Sequence, residues 1–247
     1  AQALLKHYQS GWQPELLIKG SPSFNRKKYL EKWIVEVLRQ LPASAQTELT
    51  PRIYDYELRE TLRRSCTDST FDVRLLFERS LRDASTVSGY NIVTLVNHPA
   101  YKNQNGKAND RDDIIDDPLL AYAYILTNNQ IGLPTIFYGD YFGDQSELDG
   151  YLDKKPMRKP LDQLMKAHRE FIFNSTSIDY LNRRGSDKQA YYESGDSSRV
   201  LIFQMDGNNT PAGQANYPLG NKDVLVAINF GKDTLEVTQE LNMANVE

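Results

Sequence analysis

DDPLLAYAYILTNNQIGLPTIFYGDYFG, from Asp116 to Gly143, sets a long apolar run between two kinds of punctuation. Asp116 or Asp117 supplies a helix cap, and Pro118 suits the first turn, where its missing N–H has no helical partner anyway. The run Pro118 to Gln130 therefore predicts a helix, which Gly132-Leu133-Pro134 ends. Thr135 to Tyr138 then predicts a short buried strand.

The same strand-and-helix alternation extends to both sides. Upstream, Glu15 to Lys19 is an apolar stretch bounded by Pro14 and by Gly20 with Pro22, which fits a strand. Tyr29, Leu30, Trp33, Ile34, Val37, Leu38 and Leu41 recur at helical spacing up to Pro42. Arg52 to Tyr54 reads as a second strand. Leu58, Leu62 and the segment Phe71 to Leu81 supply helical material, and the β-branched run Asn91 to Val96 reads as a third strand. Downstream of Tyr138, the residues Leu161, Leu164, Met165, His168, Phe171 and Ile172 lie along one helical face. Four such units in succession predict a parallel sheet, because parallel neighbours need a crossover of about a dozen residues, usually a helix.

Beyond Asn174 the period changes. Ala190 to Tyr192, Val200 to Phe203, Val224 to Ile228 and Leu235 to Val237 are short apolar runs separated by Gly, Asp, Asn and Pro clusters, the pattern of an antiparallel β-sandwich. The chain is accordingly divided into residues 1–176 and residues 177–247.

Composition excludes several classes. With 247 residues, 40% hydrophobic and 25% charged, the chain can bury a substantial core. Its formal charge of -4 is spread over both signs, without the basic stripe of a nucleic-acid binder. Cys66 is the one cysteine, so neither an internal disulfide nor a thiolate zinc cluster is expected. No run approaches the ~20 apolar residues that span a bilayer, and the first residues lack the order of a signal peptide. A soluble chain is expected, an extracellular or periplasmic location being favoured over others. The sequence opens on Ala1 in what reads as mid-helix, so its beginning is expected to be a cut.

The stretch from Asp116 to Gly143 resembles the seventh helix and eighth strand of the α-amylase superfamily, glycoside hydrolase family 13. Tyr90 to His98 (YNIVTLVNH) resembles the seventh strand, and Ile53-Tyr54-Asp55-Tyr56 with Leu58 the sixth. Pro14 to Gly20 falls where the fifth belongs, and Tyr29-Leu30 with Trp33 resembles the opening of the helix after it. The likeness implies an α/β fold: the second half (strands 5–8) of a TIM (β/α)8 barrel followed by an antiparallel β-sandwich. It also implies that the first four strands lie outside this chain. A free half-barrel has two open edges, so the missing N-terminal half of the barrel, or self-association, is an expected partner.

Retaining glycosidases of this kind need a nucleophilic carboxylate, a carboxyl acid–base and a stabilising carboxylate. The resemblance places the nucleophile on the fourth strand, outside the sequence. The family's acid position falls on Ser21, and its stabilising Asp falls on Pro99, after Asn97-His98. A serine hydroxyl cannot protonate a leaving group as a carboxylic acid does, and proline brings no charge. No catalytic residue is therefore intact.

For binding α-glucan or oligosaccharide, the candidates are Asn97, His98, Asp140 and Tyr141. His98 either bonds sugar hydroxyls, as the likeness implies, or orders its own loop. Asp140 either faces the barrel mouth or bonds a neighbouring loop, and Asp55 is expected to be structural. Tyr101, Tyr138, Phe142 and Tyr151 are further aromatics of the mouth loops, able to stack on sugars or to pack in the core. No cofactor or metal is expected. Calcium is the one cation that Asp110, Asp112, Asp113, Asp116 and Asp117 could suit, although their spacing matches no known loop and helix capping explains part of it. Asn174-Ser175-Thr176 and Asn208-Asn209-Thr210 match glycosylation acceptors, a short and frequent pattern.

Three functions follow from the likeness. The first is an amylase-like protein acting on or binding α-glucans, inactive as given. The second is a non-catalytic carbohydrate-binding or scaffold member of the superfamily. The third is an active α-glycosidase in the full-length chain.

Overall fold

A computed structural model describes residues 17–18, 36, 39–43, 51–84, 88–98, 114, 116–143, 156–186, 190–210 and 222–241. Ser21, Pro99, Tyr101, Tyr151, Asp110, Asp112 and Asp113 lie outside these, as does most of the helix expected over Tyr29 to Leu41.

Four short strands, β1 (Leu17–Ile18), β2 (Arg52–Tyr54), β3 (Ile92–Thr94) and β4 (Leu133–Pro134), form a sheet in the order β1-β2-β3-β4. All three pairings are parallel, with Ile18 opposite Ile53, Tyr54 opposite Val93 and Thr94 opposite Pro134. Each strand thus neighbours the next in sequence.

The described helices follow β2, β3 and β4. Helix α1 (Tyr56–Thr67) starts at Asp55, whose carboxylate accepts the Leu58 N–H as an N-cap. The segment expected to be helical over Phe71 to Leu81 is instead a 3-10 turn, Val73–Phe77, followed by one turn of helix, α2 (Leu81–Ala84). Helix α3 (Pro118–Thr127) is apolar nearly all round and is correspondingly buried, with Ala121, Tyr122, Tyr124, Ile125 and Leu126 inside. Its N-cap residue is Asp117, but the side chain makes no cap bond, and its φ of 46° puts a non-glycine residue in the left-handed region just before Pro118.

The fourth strand lies earlier than Thr135 to Tyr138. Gly132, with φ of +147°, allows close approach to β3: an added Cβ would lie 2.8 Å from the Ile92 carbonyl oxygen. Gly132-Leu133-Pro134 is therefore the start of the pairing rather than a break. Thr135 prolongs it, its N–H and hydroxyl both donating to the Thr94 carbonyl at 3.0 and 2.9 Å. Tyr138 then opens a short helix, α4 (Tyr138–Phe142). Helix α5 (Arg158–Ala167) continues into a π turn over His168–Ile172.

Past residue 176 the strands are antiparallel. β5 (Ile178–Tyr180), β6 (Tyr191–Ser194), β7 (Val200–Met205), β8 (Val224–Asn229) and β9 (Glu236–Thr238) form two sheets, β5-β7-β8 and β6-β9. All six residues of β7 are buried, because both its faces are covered. Leu201, Phe203 and Met205 join the core built by α1 and α3, whereas Val200 and Ile202 meet Leu181, Leu235 and Val237. The apolar core thus runs across residue 176. Phe77 of the 3-10 turn stacks on Tyr180 of β5 with ring centroids 4.3 Å apart, and both lie against Phe203.

Two polar fastenings hold this junction. Arg199, 5% exposed, reaches from the start of β7 to the end of α1. Its guanidinium donates to the carbonyls of Ser65, Phe71 and Asp68 at 2.7, 2.7 and 3.0 Å, and to Phe230 at 3.2 Å. Asp206 accepts from the hydroxyls of Ser175 and Thr176 and from the N–H groups of Thr176 and Ser177. Burial alone would raise the Asp206 carboxyl, but these donors and Asn209 hold it well below the usual carboxylate range.

Candidate functional site

Sites in parallel α/β folds gather at the carboxyl ends of the strands. In this chain those ends are Asp55 after β2, Asn97 and His98 beyond β3, and the α4 turn beyond β4.

Asp55 is fully buried, and its backbone N–H bonds the Val93 carbonyl at 2.9 Å. One carboxylate oxygen accepts from Leu58 N–H at 2.9 Å and the other from Leu81 N–H at 2.7 Å. Both oxygens therefore organise backbone, tying the start of α1 to α2. The structural role expected of Asp55 is what its contacts describe.

Asn97 is 3% exposed and closes a loop across seventeen residues of chain. Its amide donates to the Ile114 carbonyl at 3.1 Å, and its carbonyl accepts the Ile114 N–H at 2.9 Å. The same amide donates to Asp140 Oδ2 at 2.9 Å, which also accepts the Tyr122 hydroxyl at 2.6 Å. Tyr122 in turn accepts the Phe137 N–H at 3.2 Å, and the Asp140 carbonyl accepts the Met157 N–H at 2.9 Å. Asp140, 2% exposed, thus bonds neighbouring elements: β3's loop, α3, and the entry to α5.

His98 is partly exposed, and its ring meets the edge of Tyr54 with centroids 5.3 Å apart. Tyr54 also lies 5.9 Å from Tyr56, and burial raises the pKa of both phenols. Beneath them the buried Arg59 donates from Nε to the Val96 carbonyl at 3.1 Å, fixing the loop that carries Asn97 and His98.

Tyr141 faces α5. Its hydroxyl donates to Asp162 Oδ1 at 2.7 Å, which raises the phenol's pKa, and the Arg158 guanidinium lies 5.7 Å from its ring centroid. Tyr138 and Phe142, four residues apart on α4, are 69% and 45% exposed with ring centroids 4.7 Å apart. Asp116 and Asp117 are exposed, and among the described residues no group of three or more His, Cys, Asp or Glu side chains could hold a metal ion. Of the two glycosylation-like asparagines, Asn174 is exposed, whereas Asn208 is buried and donates to the Arg169 carbonyl at 3.1 Å.

The structure therefore brings Asn97, Asp140 and Tyr122 together. It sets His98 beside Tyr54, and Tyr141 against α5. Tyr122 escaped notice in the sequence because it sits in an apolar helix. The available signal was chemical: a buried phenol needs a partner for its O–H.

No family model matches the chain. It is similar to the alpha-amylase of Geobacillus stearothermophilus. The two are 28% identical over 246 residues, a span of 91% of this chain and 42% of that protein. The chain thus spans about two-fifths of the length of the curated relative it matches. An amylase-like relationship, and at that level a glycoside-hydrolase-like one, is what this distant likeness supports. Among the described residues no helix is long and apolar enough to cross a membrane.

Proposed function

We propose that this chain is the second half of an amylase-type barrel with part of its β-rich C-terminal region, and that it handles α-linked glucans without hydrolysing them itself. The observation that carries the first part is the parallel order β1-β2-β3-β4, with Asn97-His98 beyond the third of these strands. The second part rests on the carboxylates. General acid catalysis needs a carboxyl group free to hand a proton to the leaving oxygen, opposite a second carboxylate. The family positions hold Ser21 and Pro99. The nearby acids, Asp55 and Asp140, are buried acceptors for backbone and side-chain donors.

Incubation with starch, maltooligosaccharides and nitrophenyl α-glucosides tests this, no release above the buffer rate being expected. Turnover retained by Asp55→Asn and Asp140→Asn variants would refute it by requiring acids elsewhere. Calorimetric titration with maltooligosaccharides tests the binding half. Micromolar binding weakened about tenfold by His98→Ala is expected, the loss of roughly one hydrogen bond's worth of free energy.

A second reading, a scaffold that engages protein rather than sugar, is favoured by the outer strands: β1 and β4 pair on one side each among the described residues. Such edges recruit further strands. Absence of glucan binding together with a stable complex on size-exclusion chromatography with light scattering would select it.

A further inference from the structure

We draw no further inference here: the strongest candidate, the exposed aromatic pair Tyr138 and Phe142 on the short helix that follows the fourth parallel strand, is an apolar face with nothing in the structure to show what covers it.

Discussion

Replacing Arg199 by Met should destabilise the parallel and antiparallel regions together. The guanidinium is 5% exposed and donates to four carbonyl oxygens, those of Ser65, Asp68, Phe71 and Phe230. Two of the four belong to the end of α1, where a helix leaves its last carbonyls without partners and carries the negative pole of its dipole. A cation at that place satisfies both needs at once. Burial pushes the guanidinium's pKa down from its ordinary value, but an arginine starts so high that it stays charged at neutral pH. Methionine keeps much of the stem's volume and removes every donor. Hydrogen bonds from a charged group contribute about 1.5–3 kcal/mol each and are not additive, so a loss of about 3–5 kcal/mol is expected once the four carbonyls lose these donors. For a chain of this size that lowers Tm by roughly 6–20 °C. Arg199→Lys should recover only part, because one ammonium cannot fan out to four acceptors. The assay is urea unfolding followed by far-UV and near-UV circular dichroism, in which the two signals should fall together at a lower midpoint with m unchanged. A Met variant within about 0.5 kcal/mol of the parent, the scatter of ordinary surface changes, would refute the clamp.

Asp140→Ala should cost about 1–3 kcal/mol in the same assay, since Tyr122 and Asn97 each lose a buried acceptor, and Asp140→Asn should cost less because an amide oxygen still accepts. His168 bonds the Leu126 carbonyl through Nδ1 at 2.7 Å, and burial lowers its pKa. The unfolded chain therefore takes up the proton first, and stability should start to fall as pH drops through about 6.5, the ordinary value for histidine. A His168→Gln variant should show a flatter Tm between pH 7.5 and 5, and an unchanged slope would count against the assignment. Burial pushes the Cys66 thiol up to about 12, so its alkylation at pH 8 in the folded chain should be slower than in urea by on the order of 10³-fold, from the thiolate fractions alone. Mass spectrometry of iodoacetamide-treated samples reads this directly, and equal rates would refute it.

The sequence made the strands legible where β-branched or apolar runs were bounded by Gly and Pro. Arg52–Tyr54, Ile92–Thr94, Val200–Met205 and Val224–Asn229 all lie within a residue or two of the expected runs. The fourth parallel strand was displaced because glycine carries two meanings: as a breaker it would end a helix, and as a residue without a side chain it lets β4 close on Ile92. The 3-10 turn Val73–Phe77 is indistinguishable from helix in sequence because a short apolar segment has the same composition either way, and its Asp72 cap fits both. Of the candidate site, the Asn97–Asp140 pair sits 43 residues apart in sequence and was joined only by folding. Arg199 escaped entirely. On paper it is one more charge in a polar turn, and only the approach of α1's open carbonyls gives it a role.

Asp55 and Asp140 show how a carboxylate at the end of a parallel strand can serve packing. Asp55 holds the first turn of α1 and the first residue of α2 with separate oxygens, so removing its carboxyl group would leave two buried amides without acceptors. Asp140 holds α3 to the loop after β3, and that loop carries His98. Both residues thus answer to stability whatever happens to hydrolysis. An Asp55→Ser change should therefore be costly, because the Leu58 and Leu81 N–H groups both lose a buried acceptor. In urea unfolding that variant should lose about 1–3 kcal/mol relative to the parent. A loss below about 0.5 kcal/mol would mean that neither carboxylate oxygen of Asp55 carries the packing assigned to it.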